Sequence, residues 1–549
     1  MKILMKLHVF LAIVLLIPGS LTLAATGTAA TAENADDAEK KPIELAPLEV
    51  EGQPWMYNHG TRYAHSLPEV DGTNVTVTKK TSVVKLEQLP TVINNNQREL
   101  FARLPGIIIA EQQDPTQLNL TYRGIGNPQE SEYILSLQDG IPIALDWIGY
   151  PTQYYLPIPQ TVDSIQMIRG GSGLLYGPEP QPVINYISRG PAPDQALTGT
   201  TEQVMGSNGL FSSYNELSGT RDALGYLADF SHRGADGSRS NGDFNLNAGD
   251  LRLSYDLEAG QKLGFDFHGY SLDSGLPGFL TIQQFEADPE TTTTPGDHLW
   301  TDRYTGVLRY DRDFNDHAQV TVKLWLGKTE VAHRSDSYSG GTATAGSITD
   351  QAFHFAGLDV RFAQHWGKGN AFTLGFTGYK SRSSWTEVDD LDPYAGKNDR
   401  SGTLSYDNAS TTKYGALFAE NVFRFGQFHI VPSARFEREV IGTNEKFAAS
   451  PPHTGPLVHG TSSKNVPLFG IGLGNDFGQG NETYINLSQG YRPVRYRDLA
   501  SNRSRLNDSN DPDPTKYLTF EMGIHGWPRT GLFYDVSVFQ VQTKNRVES

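Results

Sequence analysis

The chain has 549 residues, of which 45 are basic and 62 acidic, giving a formal net charge of −17. This acidic balance is the reverse of what a nucleic-acid-binding protein normally shows, and it suits a solvated cell-surface protein. The chain contains no cysteine, which excludes a disulfide scaffold, a thiolate metal site and a cysteine nucleophile.

The first predicted element is a secretory signal over residues 1–24. Lys2 and Lys6 form its charged start, and Val9 to Ile17 form an apolar core that is too short for a membrane anchor. We expect cleavage after Ala24 or as late as residue 32. No later stretch has the roughly 18 consecutive apolar residues of a transmembrane helix, but an exported chain can still enter a membrane as a closed β-barrel.

Residues 25–69 are predicted to be flexible, with a short β-favouring island at 45–52. A compact mixed α/β domain follows over 70–190. Its one predicted amphipathic helix lies near Asn96 to Leu104, before the stop signal Pro105-Gly106. Apolar runs punctuated by Gly and Pro predict strands over 107–110, 133–137, 164–168 and 183–187.

From about residue 196 onward, the sequence is a series of about fifteen alternating strands. Leu263, Phe265 and Phe267, for example, alternate with small or polar residues, as in strands with one apolar face. A soluble sandwich would alternate in the same way, but short and long connections take turns here, which is typical of an outer-membrane barrel. The short connections are 258–262, 314–317, 367–370, 426–427, 478–481 and 528–531, and the long ones are 274–302, 334–353, 386–411, 443–465 and 494–514.

The mixed domain carries a group of motifs. Val162 to Arg189 combines a polar lead, a strand, Arg-Gly, small residues, Leu-Tyr-Gly and a Val-Ile-Asn strand. Leu104-Pro105-Gly106, Tyr122-Arg123-Gly124 and Asp139-Gly140-Ile141-Pro142 precede it. In this order and spacing the motifs resemble the plug of TonB-dependent receptors, and the resemblance runs from about residue 45 to the last residue. Gln181-Pro182 departs from the Gly-Gly of the family, and because proline removes a ladder donor, it puts the local plug geometry in question.

The resemblance implies a membrane β-barrel, antiparallel and closed by about 22 strands in the family, with an N-terminal mixed α/β plug in its lumen. It implies a barrel domain over 196–549 and a TonB box at 45–52, which pairs with the energy-coupling protein TonB by strand addition. It also implies charge pairs that lock the plug to the barrel, since buried charges need partners. The box residues are Leu45, Pro47, Leu48, Glu49, Val50 and Glu51, and the lock residues are Arg123, Arg169 and Glu521.

The implied function is active uptake of a ferric chelate across the outer membrane of a Gram-negative bacterium. Leu276-Pro277-Gly278 and Tyr176-Gly177-Pro178 are similar to the ferric dicitrate and siderophore branch. The implied partners are TonB with the inner-membrane ExbB/ExbD complex, the chelate and outer-membrane lipid; iron is cargo, and no cofactor or resident metal is expected. Candidate chelate ligands, chosen for charge and hydrogen bonding, are Gln112, Gln113, Tyr150, Arg233, Arg334, Arg382, Arg492, Arg495 and Arg497.

Three alternatives remain open. In the first, the protein is a transporter of the same class with another cargo, such as cobalamin, haem, a nickel chelate or a glycan. A passive porin would lack the plug and the box, so residues 45–190 argue against it. A surface-binding protein would keep the loops but never transport. No enzyme is expected, because the sequence has no His-Glu-x-x-His, Gly-x-Ser-x-Gly or phosphate-loop motif.

The strand count predicts an incomplete barrel. About fifteen strands fall short of the roughly 22 with which the family closes, and the last, Leu532 to Thr543, still alternates strongly near the end of the chain. We therefore expect the barrel to be truncated at its C-terminus, with an open wall between the strand near Gly199 and the last strand. Unpaired backbone groups at such edges would each cost several kcal/mol in lipid.

Overall fold

The computed structural model describes residues 66–89, 97–102, 104–114, 118–125, 133–179, 182–258, 260–315, 317–449, 457–478, 480–499, 512–529 and 532–545. The predicted signal and the box at 45–52 lie outside these ranges. None of the helices within them has the length and apolar character that crossing a membrane requires.

Residues 70–188 form a small mixed domain, which we call the plug. Its central sheet has the order β3-β8-β9-β6-β7, in which β6 and β9 are parallel and the other pairs antiparallel. Two further hairpins, β1–β2 and β4–β5, flank it. The strands are β1 Val70–Asp71, β2 Asn74–Val75, β3 Thr81–Lys85, β4 Ile107–Glu111, β5 Leu118–Tyr122, β6 Leu135–Gln138, β7 Ile141–Pro142, β8 Val162–Ile168 and β9 Val183–Ser188.

The helices of the plug are short: α1 spans Gln97–Phe101 and α2 spans Ser172–Tyr176, with 3-10 turns at Leu86–Gln88 and Pro159–Thr161. The predicted helix near Asn96 is therefore present but shorter than expected. Gly171 stands before α2 with φ 74°, a left-handed conformation that glycine adopts without the strain of a Cβ.

The departure at Gln181-Pro182 does not disrupt the plug sheet. Strand β9 begins at Val183, directly after the proline. The Pro182 carbonyl accepts a hydrogen bond of 3.1 Å from the Leu135 amide of the neighbouring strand. Proline lacks the backbone N–H donor but keeps its carbonyl acceptor, so the position just before the first strand residue tolerates it.

The rest of the described chain is one antiparallel sheet of fifteen strands in chain order, which we call the wall. This confirms the predicted strand count. Strands β10 and β24 are its two edges, and no pairing between them occurs in the described residues. The strands are β10 Thr198–Met205, β11 Phe211–Arg221, β12 Leu224–Ala235, β13 Phe244–Leu257, β14 Gln261–Gly275, β15 His298–Asn315, β16 Ala318–Ser339, β17 Thr342–Trp366, β18 Asn370–Leu391, β19 Thr403–Phe425, β20 Phe428–Ala448, β21 His459–Asp476, β22 Glu482–Arg492, β23 Thr515–Arg529 and β24 Leu532–Lys544.

Alternation along the strands sorts side chains between two faces. On β18, Thr373 and Thr377 are buried against the plug side, whereas Leu374 and Phe376 are 40% and 44% exposed on the outer face. A polar inner face and an apolar outer face are the pattern of a barrel in lipid, the reverse of a soluble sandwich.

One predicted loop is wrong. Residues 334–353 were expected to be a long loop, but β16 continues to Ser339, β17 begins at Thr342, and only Gly340-Gly341 lie between them. Both glycines have positive φ, 58° and 82°, which a tight two-residue hairpin requires. The sequence looks like a loop because both faces of this hairpin are polar, so it lacks the apolar alternation that marks a strand.

The plug packs against the inner face of the wall through shared apolar cores. One core joins plug residues such as Leu100 and Ile165 to Leu246 and Phe353 of the wall. A second joins Trp147 and Leu175 to wall residues such as Trp325 and Phe418. The wall has short turns at one rim and, apart from the Gly340-Gly341 turn, longer connections at the other. We call these the short-turn rim and the long-loop rim. Two short helices, α3 Ile282–Ala287 and α4 Tyr496–Leu499, lie in the long-loop connections.

Candidate functional site

The first segment of the plug is tied to the wall by buried ion pairs. The Lys79 ammonium lies 2.5 Å from a carboxylate oxygen of Glu420, and these side chains are only 2% and 4% exposed. Lys80 donates to Asp535 at 2.7 Å. Lysine is seldom buried without a partner, so these contacts fix where the segment sits on the wall.

A third ion pair joins the predicted lock residues Arg123 and Glu521. An Arg123 guanidinium nitrogen lies 3.3 Å from Glu521, whose side chain is 1% exposed. The guanidinium carbon also lies 3.4 Å from the ring centre of Phe539 on the edge strand β24. The third predicted lock residue, Arg169, makes its described hydrogen bonds inside the plug, to the Lys80 carbonyl and the Ser82 hydroxyl.

On the opposite side of the plug, the hairpin between β6 and β7 is held by two basic side chains of the wall. Asp139 and Gly140 have φ of 51° and 81°, which is the two-residue turn that Asp-Gly favours. The Asp139 carboxylate accepts from Arg252 at 3.2 Å, and its carbonyl accepts from Lys323 at 2.6 Å. A cavity of about 340 Å³ lies between this hairpin and the wall, lined by charges of both signs that include His268.

We expect Asp139 to make the plug sensitive to acid. Burial alone would raise the pKa of Asp139, but Arg252 and the Ser188 amide stabilise the carboxylate and hold its pKa below the usual value. Its stabilising contribution is therefore complete above the unfolded pKa of about 3.9 and is lost as pH falls through the lower folded value. Asp139→Asn should lower the melting temperature by several degrees at pH 7, and the gap to the native protein should narrow as the pH falls below the unfolded pKa of about 3.9; a gap constant with pH would contradict this.

Near the long-loop rim, an aromatic cluster joins the plug to the wall. Tyr150 stacks on Phe353 with ring centres 5.8 Å apart and planes at 15°, and it meets Trp385 edge-on at 6.1 Å. Trp385 in turn meets Tyr406 at 6.4 Å. Tyr150 and Trp385 are only partly buried. We call these four residues the aromatic platform. Phe353 and Tyr406 are its buried members, and Tyr150 and Trp385 keep part of their ring surface exposed.

Beside the aromatic platform, a hydrogen-bonded network holds the plug loop against α4. The Tyr496 hydroxyl donates to Asp146 at 2.6 Å, and Thr412 of the wall donates to the same carboxylate at 3.0 Å. The Tyr496 ring lies directly over Gly149, where a Cβ would come within 2.4 Å of it. Because Gly149 has no side chain, the Tyr496 ring can pack directly on the plug backbone.

The predicted ligand Gln113 touches the loop that follows β14. Its side-chain oxygen accepts a hydrogen bond of 2.7 Å from the Gly278 amide, within the Leu276-Pro277-Gly278 motif. Gln112 is partly buried beside it. The structure thus brings a plug turn and a long-loop motif together at the same rim as Tyr150.

The candidate arginines do not form one cluster. Arg233 is buried on the inner face with its guanidinium over Phe244 at 5.0 Å. Arg334 is also buried, and it donates to the carbonyl oxygens of Gly296 and, at 2.6 Å, Ala395, so it ties two long loops together. Arg382 is exposed on the outer face of β18, on the same face as Phe376.

The remaining candidates lie at the end of β22 and on the connection that follows it. Arg492 lies 3.5 Å from Asp498, and an Arg495 nitrogen lies 3.8 Å from Glu179 of the plug. Both arginines are almost fully buried. The side chain of Arg497 lies outside the described residues. These arginines hold the loop that carries Tyr496 in place. Their charges are paired and buried, and they are not open to a ligand.

Several residues that build this site were not singled out from the sequence. Tyr406 and Tyr496 lie in segments expected to be long loops, and no sequence motif assigned a role to Asp146 or Trp385. The local signal was present for Tyr496, since Tyr-Arg-Pro-Val-Arg-Tyr is unusually aromatic and basic. No local signal marks Lys79, whose partner Glu420 lies 341 residues away.

Two family models match the chain. One, described as TonB-dependent Receptor Plug Domain, matches residues 73–180. The other, described as TonB dependent receptor-like, beta-barrel, matches residues 230–549. Together these matches cover most of the plug and of the wall.

Solved structures share the fold at low sequence identity. The unliganded ferric citrate transporter FecA matches with a TM-score of 0.75 at 20% identity, over 86% of this chain and 71% of that chain. The ferric yersiniabactin uptake receptor FyuA from Yersinia pestis matches with a TM-score of 0.69 at 16% identity, over 85% and 72%. The siderophore receptor PiuA from Acinetobacter baumannii matches with a TM-score of 0.65 at 12% identity, over 84% and 72%.

Proposed function

We propose that this chain, which belongs to the TonB-dependent receptor family, actively takes up a ferric chelate. Barrels of this family lie in the outer membrane of Gram-negative bacteria, and they act as transporters rather than enzymes. In that membrane the short-turn rim faces the periplasm and the long-loop rim faces the outside. The chelate binds at the outer rim, and TonB, driven by the ExbB/ExbD complex, pulls on the segment before the plug.

The observation that carries this proposal is that one small domain contacts both rims of the wall. At the outer rim, Tyr150 belongs to the aromatic platform and Gln113 contacts Gly278. At the periplasmic rim, Glu69 pairs with Arg424, and Lys79 pairs with Glu420. A pull on the segment before Glu69 loads these periplasmic pairs first, and the plug sheet transmits the displacement to the platform.

Deleting the box at 45–52 tests this mechanism. We expect cells with the deletion to bind the chelate at their surface and to lose its accumulation, because strand addition to TonB needs that segment. Unchanged function would indicate a surface-binding protein, and continued passive flux would indicate a porin.

The described contacts favour a siderophore over ferric citrate within the ferric chelates. Two carboxylates bond directly to the platform: Glu387 accepts from the Trp385 indole at 2.8 Å, and Glu445 accepts from the Tyr406 hydroxyl at 3.0 Å. Aromatic faces with nearby carboxylates suit a chelate that has flat rings and little negative charge. Ferric citrate would need cations, and its binding would weaken strongly with salt.

We expect Tyr150→Ala to weaken chelate binding by about ten- to a hundredfold. An aromatic contact contributes the free energy of burying its apolar area and about 0.5–1.5 kcal/mol beyond that, and about 1.4 kcal/mol corresponds to a factor of ten in affinity. Tyr150→Phe keeps the ring and should bind like the native protein. Titration of the purified protein with ferric siderophores, ferric citrate, haem and cobalamin, at low and high salt, measures both affinity and cargo class. Equal affinity in Tyr150→Ala and the native protein would remove the platform from the binding site.

A further inference from the structure

Three potential metal ligands, with a second histidine beside one of them, converge at the periplasmic rim on the inner face of neighbouring strands. His429 lies near the start of β20, Asp476 ends β21, Glu482 begins β22, and His525 lies on β23. Asp476 and Glu482 are directly paired in register across β21 and β22, and Glu482 and His525 across β22 and β23. The turns of the wall therefore bring residues nearly 100 positions apart into one cluster.

The distances within this cluster suit a single ion. One ligand atom from each of His429, Asp476 and Glu482 lies within 4.8 Å of the other two. The His429 Nε2 atom is 2.9 Å from Glu482, and the His525 Nε2 atom is 3.3 Å from the other oxygen of the same carboxylate. Imidazole nitrogens and carboxylate oxygens about 2.0–2.2 Å from the metal are the usual protein ligands of Zn²⁺.

A second, independent feature is the way His429 is held. Its side chain is fully buried, yet its Nδ1 atom has no hydrogen-bond partner among the described residues and faces the Asp476 carboxylate at 3.6 Å. The ring lies over Gly474, where a Cβ would come within 1.9 Å of Nε2. The fold thus keeps a space for this imidazole and leaves a buried polar nitrogen aimed at a carboxylate, and such atoms are rare in folded proteins.

Carboxylates outnumber arginines among the described residues of the cluster. Glu69, Asp476 and Glu482 are acidic, and Arg424 is the arginine that contacts Glu69 and Asp476. A cation bound among these carboxylates is attracted by the acidic excess.

We propose that His429, Asp476 and Glu482 form a binding site for a divalent transition metal ion, with Zn²⁺ as its simplest occupant. His525, which lies 3.3 Å from the other oxygen of Glu482, orients that carboxylate. The ion joins the periplasmic ends of β20, β21 and β22. When the ion is bound, Asp476 coordinates it and no longer pairs with Arg424. The Arg424 guanidinium then pairs only with Glu69 at the start of the plug. The site lies at the rim opposite the chelate-binding platform, so it is a resident site and not the cargo site.

The test is metal binding by the full-length protein purified from membranes in mild detergent, treated with a chelator and then dialysed against micromolar ZnCl₂. We expect about one Zn²⁺ to remain per chain, measured by mass spectrometry of the metal, and Co²⁺ to give the visible absorption of a tetrahedral nitrogen and oxygen site. His429→Gln and Glu482→Gln should each reduce bound Zn²⁺ at least tenfold. Electrophoretic mobility with and without heating shows that each variant is folded.

His268→Gln is the matched control. His268 is partly buried on the inner face and lies 2.9 Å from a carboxylate oxygen of Asp250, but it belongs to no group of three ligands in the described part of the chain. This variant should keep the metal. If His429→Gln does not fold, Asp476→Asn, at a more exposed position, replaces it.

Two results would overturn the proposal. One is a native protein that retains less than about a tenth of an equivalent of Zn²⁺, which would make the cluster an ordinary hydrogen-bonded network. The other is a folded His429→Gln or Glu482→Gln protein that binds Zn²⁺ as the native protein does. Because no chelate is present, neither result depends on the transport function.

Discussion

Cells that carry Val50→Pro are expected to bind the ferric chelate normally and to accumulate no more iron than cells without the receptor. Val50 lies in the predicted TonB box, whose backbone pairs with a strand of TonB. Proline has no backbone N–H and fixes φ near −65°, so it removes one hydrogen bond and resists the extended pairing geometry. Surface binding stays intact because the aromatic platform lies at the other rim.

The measurement is accumulation of radioactive iron by energised cells, compared with binding to the same cells at low temperature. Asn34→Pro, in the predicted flexible stretch before the box, is the matched control and should transport normally. Normal uptake by Val50→Pro would show that this segment is not the box.

Removing either partner of the Lys79–Glu420 pair is expected to loosen the plug. Both side chains are almost fully buried, and taking away one member of a buried ion pair leaves an uncompensated charge at a cost of about 3–5 kcal/mol. Glu420→Gln or Lys79→Met should therefore lower the thermal stability of the plug, and the barrel should conduct ions in planar bilayers far more often than the native protein does.

The double variant Lys79→Met with Glu420→Met separates the charge effect from a packing effect. It removes both charges, so it should recover much of the stability that either single variant loses. Lys262→Met is the surface control: its pair with Asp256 is more than half exposed, and such pairs contribute about 0–1 kcal/mol. Single variants as stable and as closed as this control would show that the pair does not hold the plug.

Local sequence patterns predicted the wall well, because the strands obey a rule of period two that needs no distant partner. Strands such as β14 and β18 follow directly from the alternation of Leu263 to Phe267 or Leu374 and Phe376. The rule fails beyond the membrane, where both faces of a strand meet water. The hairpin around Gly340 therefore lacks the alternation that predicts strands, although its two consecutive glycines favour a tight turn.

The sites were less predictable, because their partners meet only through the fold. Arg123 and Glu521 were paired through a family resemblance and lie 3.3 Å apart, but nothing near Lys79 in the sequence points to Glu420. Arginines on loops look like anion ligands from their charge alone. Arg334 instead donates to two loop carbonyls, and Arg382 lies on the outer face of the wall. A single sequence segment predicts neither the loop that Arg334 contacts nor the face of the wall on which Arg382 lies.

The glycines of the site show the same limit. Gly149 and Gly474 are ordinary residues in the sequence, yet each leaves the space in which an aromatic or imidazole ring lies. A glycine marks the possibility of close packing, but the ring that fills the space comes from a residue that is distant in sequence or on a neighbouring strand.

The most direct test of the central claim is iron accumulation in a strain that makes this protein and in a strain whose gene for it is deleted, with and without a protonophore. Radioactive iron is supplied as ferric siderophores or as ferric citrate. Energy-dependent transport predicts accumulation only in the energised strain that makes the protein, with surface binding unaffected by the protonophore. Equal accumulation in both strains for every chelate, or uptake through this protein that continues without the proton gradient, would contradict it.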